Sequence, residues 1–265
     1  MNLSVLSVKS LNYLHNKDRV NTSVIIESFC QTGTFGYNFH MKIMGHRGAR
    51  DVAPENSLRS FEAAINCGLT CIEFDIHQIK DGEFIVHHDE TLERTTTGVG
   101  KIADYSLSEL KKYTLKEGDK IPTLSDVLDL TKNKNIELQI ELKNAGDWTQ
   151  LKKILVDSNE LELFTIISFN HRWLLEIKDV IPQIKTACLM YALPVKPELI
   201  IQSTKCNGIS LNVQFVDQLL VDQCHQFGHT VTAWNANDVE TFTRLKSFGV
   251  DYLGTDVPHS AKAWI

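Results

Sequence analysis

Cys71-Ile72-Glu73-Phe74-Asp75-Ile76-His77 alternates between an apolar column (Ile72, Phe74, Ile76) and one that carries Glu73, Asp75 and His77. Ile136-Glu137-Leu138-Gln139-Ile140-Glu141-Leu142-Lys143 repeats the pattern further along the chain. Strand side chains alternate faces with a period of two, so Glu73 and Asp75 point one way, as do Glu141 and Lys143. A buried parallel strand is usually a nearly continuous apolar run. Ionisable groups lining an interior are costly unless they pair with one another or hold a metal ion. An antiparallel sheet with one wet face would alternate in the same way, so the rest of the chain has to choose.

Working outward, short apolar or β-branched runs lie near 42–46, 71–77, 135–142, 163–168, 184–189, 207–212, 229–234 and 250–254. Helical patterns separate them at about 57–67, 123–133, 148–158, 171–178, 196–204, 215–227 and 237–248. Alternating β and α elements imply parallel strands, and eight such units predict an α/β fold of the closed (β/α)8 type, a TIM barrel. Helix starts carry capping residues (Asn56-Ser57, Asp147, and Asn237 or Asp238), and Gly68, Gly228 and Gly249 stand where helices should end. One gap breaks the rhythm. Residues 78–122 hold an Asp81-Gly82 turn, Phe84-Ile85-Val86-His87-His88 and Arg94-Thr95-Thr96-Thr97, a small insertion after strand two. Long loops in compact domains usually carry function, and in a barrel this one emerges at the C-terminal mouth, where active sites of the fold lie.

The 265-residue chain is 43% hydrophobic and 23% charged, as ordinary globular proteins are. Its net charge of −6 argues against a nucleic-acid-binding surface but leaves room for a local cationic pocket. Six scattered cysteines with no CxxC pair fit a reduced, cytoplasmic setting. No apolar run approaches the roughly 20 residues of a membrane span. Residues 1–40 lack the layout of a secretory signal and are patchy in hydrophobicity. They are expected to be a poorly ordered extension, or the product of a mis-assigned start, with the folded domain covering 41–265.

Strand one delivers His46, Arg47 and Gly48 to its C-terminal end, just before Pro54-Glu55-Asn56. Histidine moves protons near neutral pH, and arginine grips phosphate with a bidentate fork. Glu73, Asp75 and Glu141 would converge on the mouth as an all-oxygen set of the kind that Mg²⁺ or Ca²⁺ prefers. Lys143, on the face of Glu141, can offset those carboxylates and bind substrate oxygen, or be a solvated rim charge. His87 and His88 should face opposite sides, and alternation does not say which enters the site; Asp89, next along, favours His88. Trp234, ending strand seven, suits the core as well as the site, and Arg94-Thr95-Thr96-Thr97 suits an ordinary polar loop.

Gly45-His46-Arg47-Gly48-Ala49, Pro54-Glu55-Asn56-Ser57, Glu73-Phe74-Asp75, Asp81-Gly82 through His88-Asp89, Leu92-Glu93-Arg94-Thr95-Thr96, Ile140-Glu141-Leu142-Lys143 and Gly254-Thr255-Asp256, taken in order, resemble the glycerophosphodiester phosphodiesterases. The resemblance runs from about Lys42 to the C-terminus. It implies His46 and His88 as an acid/base pair and Glu73, Asp75 and Glu141 as ligands of one divalent cation, Mg²⁺ or Ca²⁺. It further implies Arg47 and Lys143 on the phosphate, Glu55 as a polar residue orienting its neighbours, and Trp234 beside the glycerol end. The implied reaction is hydrolysis of a small glycerophosphodiester to sn-glycerol 3-phosphate and an alcohol through a cyclic phosphate. Two alternatives are a related lipid phosphodiesterase of the lysophospholipase D kind, marked by an exposed apolar rim, and a barrel that binds phosphodiesters without turnover.

Overall fold

The computed structural model describes residues 41–265, so the expectation about residues 1–40 lies outside the described residues. All of the strand-like runs become strands. They are β1 (Lys42–His46), β2 (Cys71–Gln78), a short β3 (Phe84–Val86), β4 (Glu137–Leu142), β5 (Phe164–Ser168), β6 (Lys185–Met190), β7 (Gly208–Asn212), β8 (Thr230–Trp234) and β9 (Tyr252–Thr255). The sheet runs β1-β9-β8-β7-β6-β5-β4-β2-β3, and β1 also pairs with β2, which closes the ring. Every pairing in the ring is parallel and only β3 is antiparallel, so the barrel has eight strands and the antiparallel alternative falls.

The helices are α1 (Leu58–Asn66), α2 (Leu107–Leu110), α3 (Leu124–Thr131), α4 (Trp148–Asp157), α5 (His171–Val180), α6 (Pro197–Thr204), α7 (Gln218–Gln226), α8 (Val239–Phe248) and α9 (Pro258–Ala261). Ser57, Asp147 and Asp238 accept hydrogen bonds from backbone N–H groups of the first turns they cap, each such cap contributing about 1 kcal/mol. α7 begins later than the spacing predicts. Val213–Phe215 forms a separate 3₁₀ turn, and Asp217 caps the helix by accepting from the Leu220 N–H. The short α9 has no counterpart in the periodicity, because a single turn is too brief to show one.

The apolar columns pack outward against the helices. Phe61 of α1 meets Phe74 of β2 with ring centroids 5.5 Å apart, and both are fully buried. Burying a side chain of this size stabilises the fold by roughly 1.5–3 kcal/mol. The opposite column points into the barrel, where Glu73, Asp75 and His77 are all buried. Residues 78–122 fold around a small core of their own, made by Ile79, Ile85, Leu92, Ile102 and Leu110. Among the described residues no helix is long and apolar enough to cross a membrane.

Candidate active site

Two ladder registers build the site. His46 at the end of β1 is the Cα partner of Glu73 on β2, and Asp75 on β2 is the partner of Glu141 on β4. Strand alternation therefore sets Glu73, Asp75 and Glu141 on one inner face, where an oxygen from each lies within 4.8 Å of the others. Lys143, just past β4, donates from Nζ to Glu141 Oε1 at 2.8 Å and stands 3.5 Å from Asp75 Oδ1. It lies inside the mouth rather than on a solvated rim.

The loop after β1 is shaped by its glycine. Gly48 has φ +85, and a Cβ there would fall 2.4 Å from Ser60 Oγ, so only glycine lets the turn lie against α1. Arg47, itself left-handed at φ 56, then directs its N–H to Glu73 Oε2 at 3.0 Å and its guanidinium to Glu55 Oε1 at 2.8 Å. Its Nε stands 3.4 Å from Asp75 Oδ2, and Asn56 donates to that same oxygen at 2.8 Å.

His87 and His88 part as alternation requires. His87 is buried, with Nε2 against the Thr91 carbonyl oxygen at 3.0 Å, whereas His88 lines the cavity. His88 Nδ1 lies 2.6 Å from Asp89 Oδ1, and His46 Nδ1 lies 2.6 Å from Asp256 Oδ1. A carboxylate only accepts, so each aspartate can take a proton-bearing Nδ1 and orient the ring; Asn235 Nδ2 also lies 2.9 Å from His46 Nδ1. His77, beneath them, lies with Nε2 3.2 Å from the His88 carbonyl oxygen.

Electrostatics in this cluster are set by burial. Burial together with the charges of Asp75 and Glu141 pushes the Glu73 carboxyl well above its ordinary range. Glu141 is pushed up to about 7 by burial and by Asp75, even with Lys143 beside it. Burial acts in the same sense on Asp75, but Lys143 and Arg47 outweigh it and bring that carboxyl down to about 2. Burial likewise lowers His88, partly offset by Asp75. Three carboxylates crowded at this depth fit a hard cation, which would add positive charge beside Arg47 and Lys143. Asp75 Oδ1 fits it too: the atom is buried and accepts no hydrogen bond among the described residues. Glu73, Asp75 and Glu141 thus form a cluster able to coordinate a divalent cation.

A cavity of about 340 Å³ opens above the cluster, with His46, Arg47, His88 and Lys143 on one side and Ile167, Phe169, Leu189 and Trp234 on the other. Trp234 therefore serves both the cavity wall and a small buried cluster of Ile167, Ala187 and Leu189, packing edge-on to Phe169 at 6.0 Å.

A sequence model of the glycerophosphoryl diester phosphodiesterase family matches residues 46–260. The chain belongs to that family. A glycerophosphodiester phosphodiesterase of Caldanaerobacter subterraneus is 32% identical over 232 residues, covering 82% of this chain and 95% of its own. An Oleispira antarctica phosphodiesterase, solved in complex with the product sn-glycerol-3-phosphate, is 27% identical with a TM-score of 0.77, covering 84% of this chain and 96% of its own. A glycerophosphodiester phosphodiesterase from Parabacteroides distasonis is 26% identical with a TM-score of 0.75, covering 84% and 95%. As a phosphodiesterase of this family the protein is an enzyme, which removes the binding-only alternative.

Several site residues escaped the residue-by-residue reading. Asp256 was visible within Gly254-Thr255-Asp256, and a carboxylate at the C-terminal end of a barrel strand is itself a signal. Arg94 and Arg50 each bind one near neighbour in sequence, Asp89 and Glu55, but their reach to Glu55 and Asp256, like that of Asn56 to Asp75, spans 39, 206 and 19 residues, which no local pattern reveals.

Proposed function

We propose that the protein hydrolyses glycerophosphodiesters to sn-glycerol 3-phosphate and an alcohol, with His46 and His88 as the acid/base pair. The observation that carries this reading is the presence of two histidines, each with Nδ1 against an aspartate, on the same cavity as Arg47, Lys143 and the three-carboxylate cluster. One Nε2 takes the proton of the glycerol hydroxyl next to the phosphate, so that its oxygen attacks phosphorus. The other donates a proton to the departing alkoxide. Water then opens the cyclic phosphate with the two roles exchanged. Arg47 and Lys143 bind the phosphoryl oxygens and stabilise the charge that builds there. Glu55 orients Arg47, and Trp234 packs against the glycerol end. Glu73, Asp75 and Glu141 would hold a divalent cation, Mg²⁺ or Ca²⁺, which when bound would supply Lewis-acid charge to the phosphoryl transfer. The test is release of glycerol 3-phosphate from glycerophosphocholine and glycerophosphoethanolamine with Mg²⁺, with Ca²⁺ and with EDTA. Metal-dependent release is expected, and no release with either ion would overturn the reading.

One observation favours a second substrate arm. Phe169 (50% exposed) and Tyr191 (59%) pack on Trp234 at 6.0 and 6.2 Å as an exposed apolar rim, and exposed Leu193 and Val195 follow Tyr191 along the chain. Such a rim suits an acyl chain on the glycerol, as in a lysophospholipid. Faster turnover of lysophosphatidylcholine than of glycerophosphocholine, lost in Leu193→Ser/Val195→Ser, would establish it.

A further inference from the structure

The two histidine–aspartate pairs come from different parts of the chain, yet one unbroken run of polar contacts joins them. Arg94, from the insertion, grips Asp89 with two nitrogens, Nε to Oδ2 and Nη2 to Oδ1 at 3.0 Å. The same Nη2 donates to Glu55 Oε1 at 2.6 Å. The other oxygen of Glu55 lies 3.1 Å from Arg50 Nη2, and Arg50 Nη1 donates to Asp256 Oδ1 at 3.2 Å. That is the oxygen held by His46 Nδ1. Glu55 is therefore a junction, reached from His88 through Asp89 and Arg94, and from His46 through Asp256 and Arg50.

Opposite charges alternate along the run. Asp89, Glu55 and Asp256 are bridged by Arg94 and Arg50, and Arg47, which also faces Asp75, adds a further guanidinium at Glu55. Isolated surface ion pairs contribute little, but bidentate arginine forks and networks fix geometry far more firmly. Removing one guanidinium would leave the partly buried Glu55 and one aspartate short of positive charge, and each would relax toward what remains.

We infer that Arg50 and Arg94 are positioning residues that couple the orientation of His46 to that of His88 through Glu55. The insertion after β2 thereby helps to set the histidine of β1, with which Arg94 makes no contact. The catalytic meaning of that coupling rests on the function proposed above, while its existence does not.

The test is the side-chain ¹H–¹⁵N spectrum of the full chain at one pH, with the two imidazoles assigned from His46→Gln and His88→Gln. In Arg94→Ala the resonances of both His88 and His46 should move, and a shift of His88 alone would overturn the coupling. Should Arg94→Ala not fold, Arg94→Lys decides instead. It keeps the charge but not the fork that spans two carboxylates, so both imidazoles should still shift, by less. A purely structural role would not respond to added guanidinium ion. The coupling predicts that this ion returns both resonances toward wild type, entering by the cleft of about 420 Å³ lined by Arg50, Glu55 and Arg94. In turnover of glycerophosphocholine, kcat of Arg94→Ala and of Arg50→Ala should each fall on the order of tenfold with KM changed less. The double variant should fall by less than the product of the two. Multiplying effects would overturn the coupling. Failure of the wild-type protein to turn over would overturn the proposed function while leaving the spectra to judge the coupling.

Discussion

His46 Nε2 stands 3.9 Å from Glu73 Oε2, its Cα partner across the β1–β2 ladder. The histidine proposed to transfer protons and a carboxylate of the acidic cluster are thus set side by side by a single register, before any loop is considered. His46→Ala and His88→Ala should each lower kcat on the order of 10²-fold or more, the scale of general acid/base catalysis. Steady-state kinetics on glycerophosphocholine checks this, and near-normal turnover in either variant would remove that histidine from the role.

Asp75 has a buried oxygen that accepts no hydrogen bond among the described residues, and is the carboxylate of the cluster held charged by Lys143 and Arg47. Asp75→Asn should weaken Mg²⁺ or Ca²⁺ binding on the order of tenfold or more, since even the partners that merely orient metal ligands typically matter by 10–100-fold. Calorimetric titration of the metal-free protein reads this directly. Equal affinity in variant and wild type would place the cation elsewhere.

Burial pushes the Glu55 carboxyl up, but Arg94 and Arg47 outweigh it and bring it from 4.5 down to about 2. A carboxyl whose folded value is depressed stabilises the fold fully above pH 4.5, and the contribution fades as pH falls toward 2, because the unfolded chain takes up the proton first. The shift corresponds to on the order of 3 kcal/mol. The stability gap between wild type and Glu55→Gln, measured by urea unfolding, should be widest above pH 4.5 and narrow steadily below it. A gap independent of pH would refute the assignment.

Gly48→Ala asks a side chain to adopt φ +85 against Ser60. Strain of this kind costs about 1–3 kcal/mol, and the displaced turn carries Arg47 with it. A lowered thermal midpoint together with a raised KM is expected; unchanged values of both would mean that the turn relaxes freely.

Most of the barrel was legible because its signals are local. Period-two columns at 71–77 and 136–143 identified the inner face, and capping residues at Asn56-Ser57, Asp147, and Asn237 or Asp238 marked helix starts, of which the structure uses Ser57, Asp147 and Asp238. The insertion was legible as a gap, but its own core of Ile79, Ile85, Leu92, Ile102 and Leu110 was not, since those residues follow no single period. His87 and His88 show the boundary most sharply: alternation separates them without choosing, Asp89 and the family resemblance favour His88, and the fold sets His88 on the cavity.

What the sequence by itself determined, then, is the parallel α/β alternation, the carboxylate column, and the histidine that ends β1 with the arginine and glycine that follow it. These depend on backbone periodicity and on steric limits that act within a few residues. Tertiary structure alone decided that Asp256 holds His46, that Asn56 reaches Asp75, and that Arg50 and Arg94 meet at Glu55. Those contacts join positions as many as 210 residues apart, and they arise because ring closure and ladder register bring distant strand ends to one mouth. Closure and register are properties of the whole barrel, which no local stretch of sequence contains.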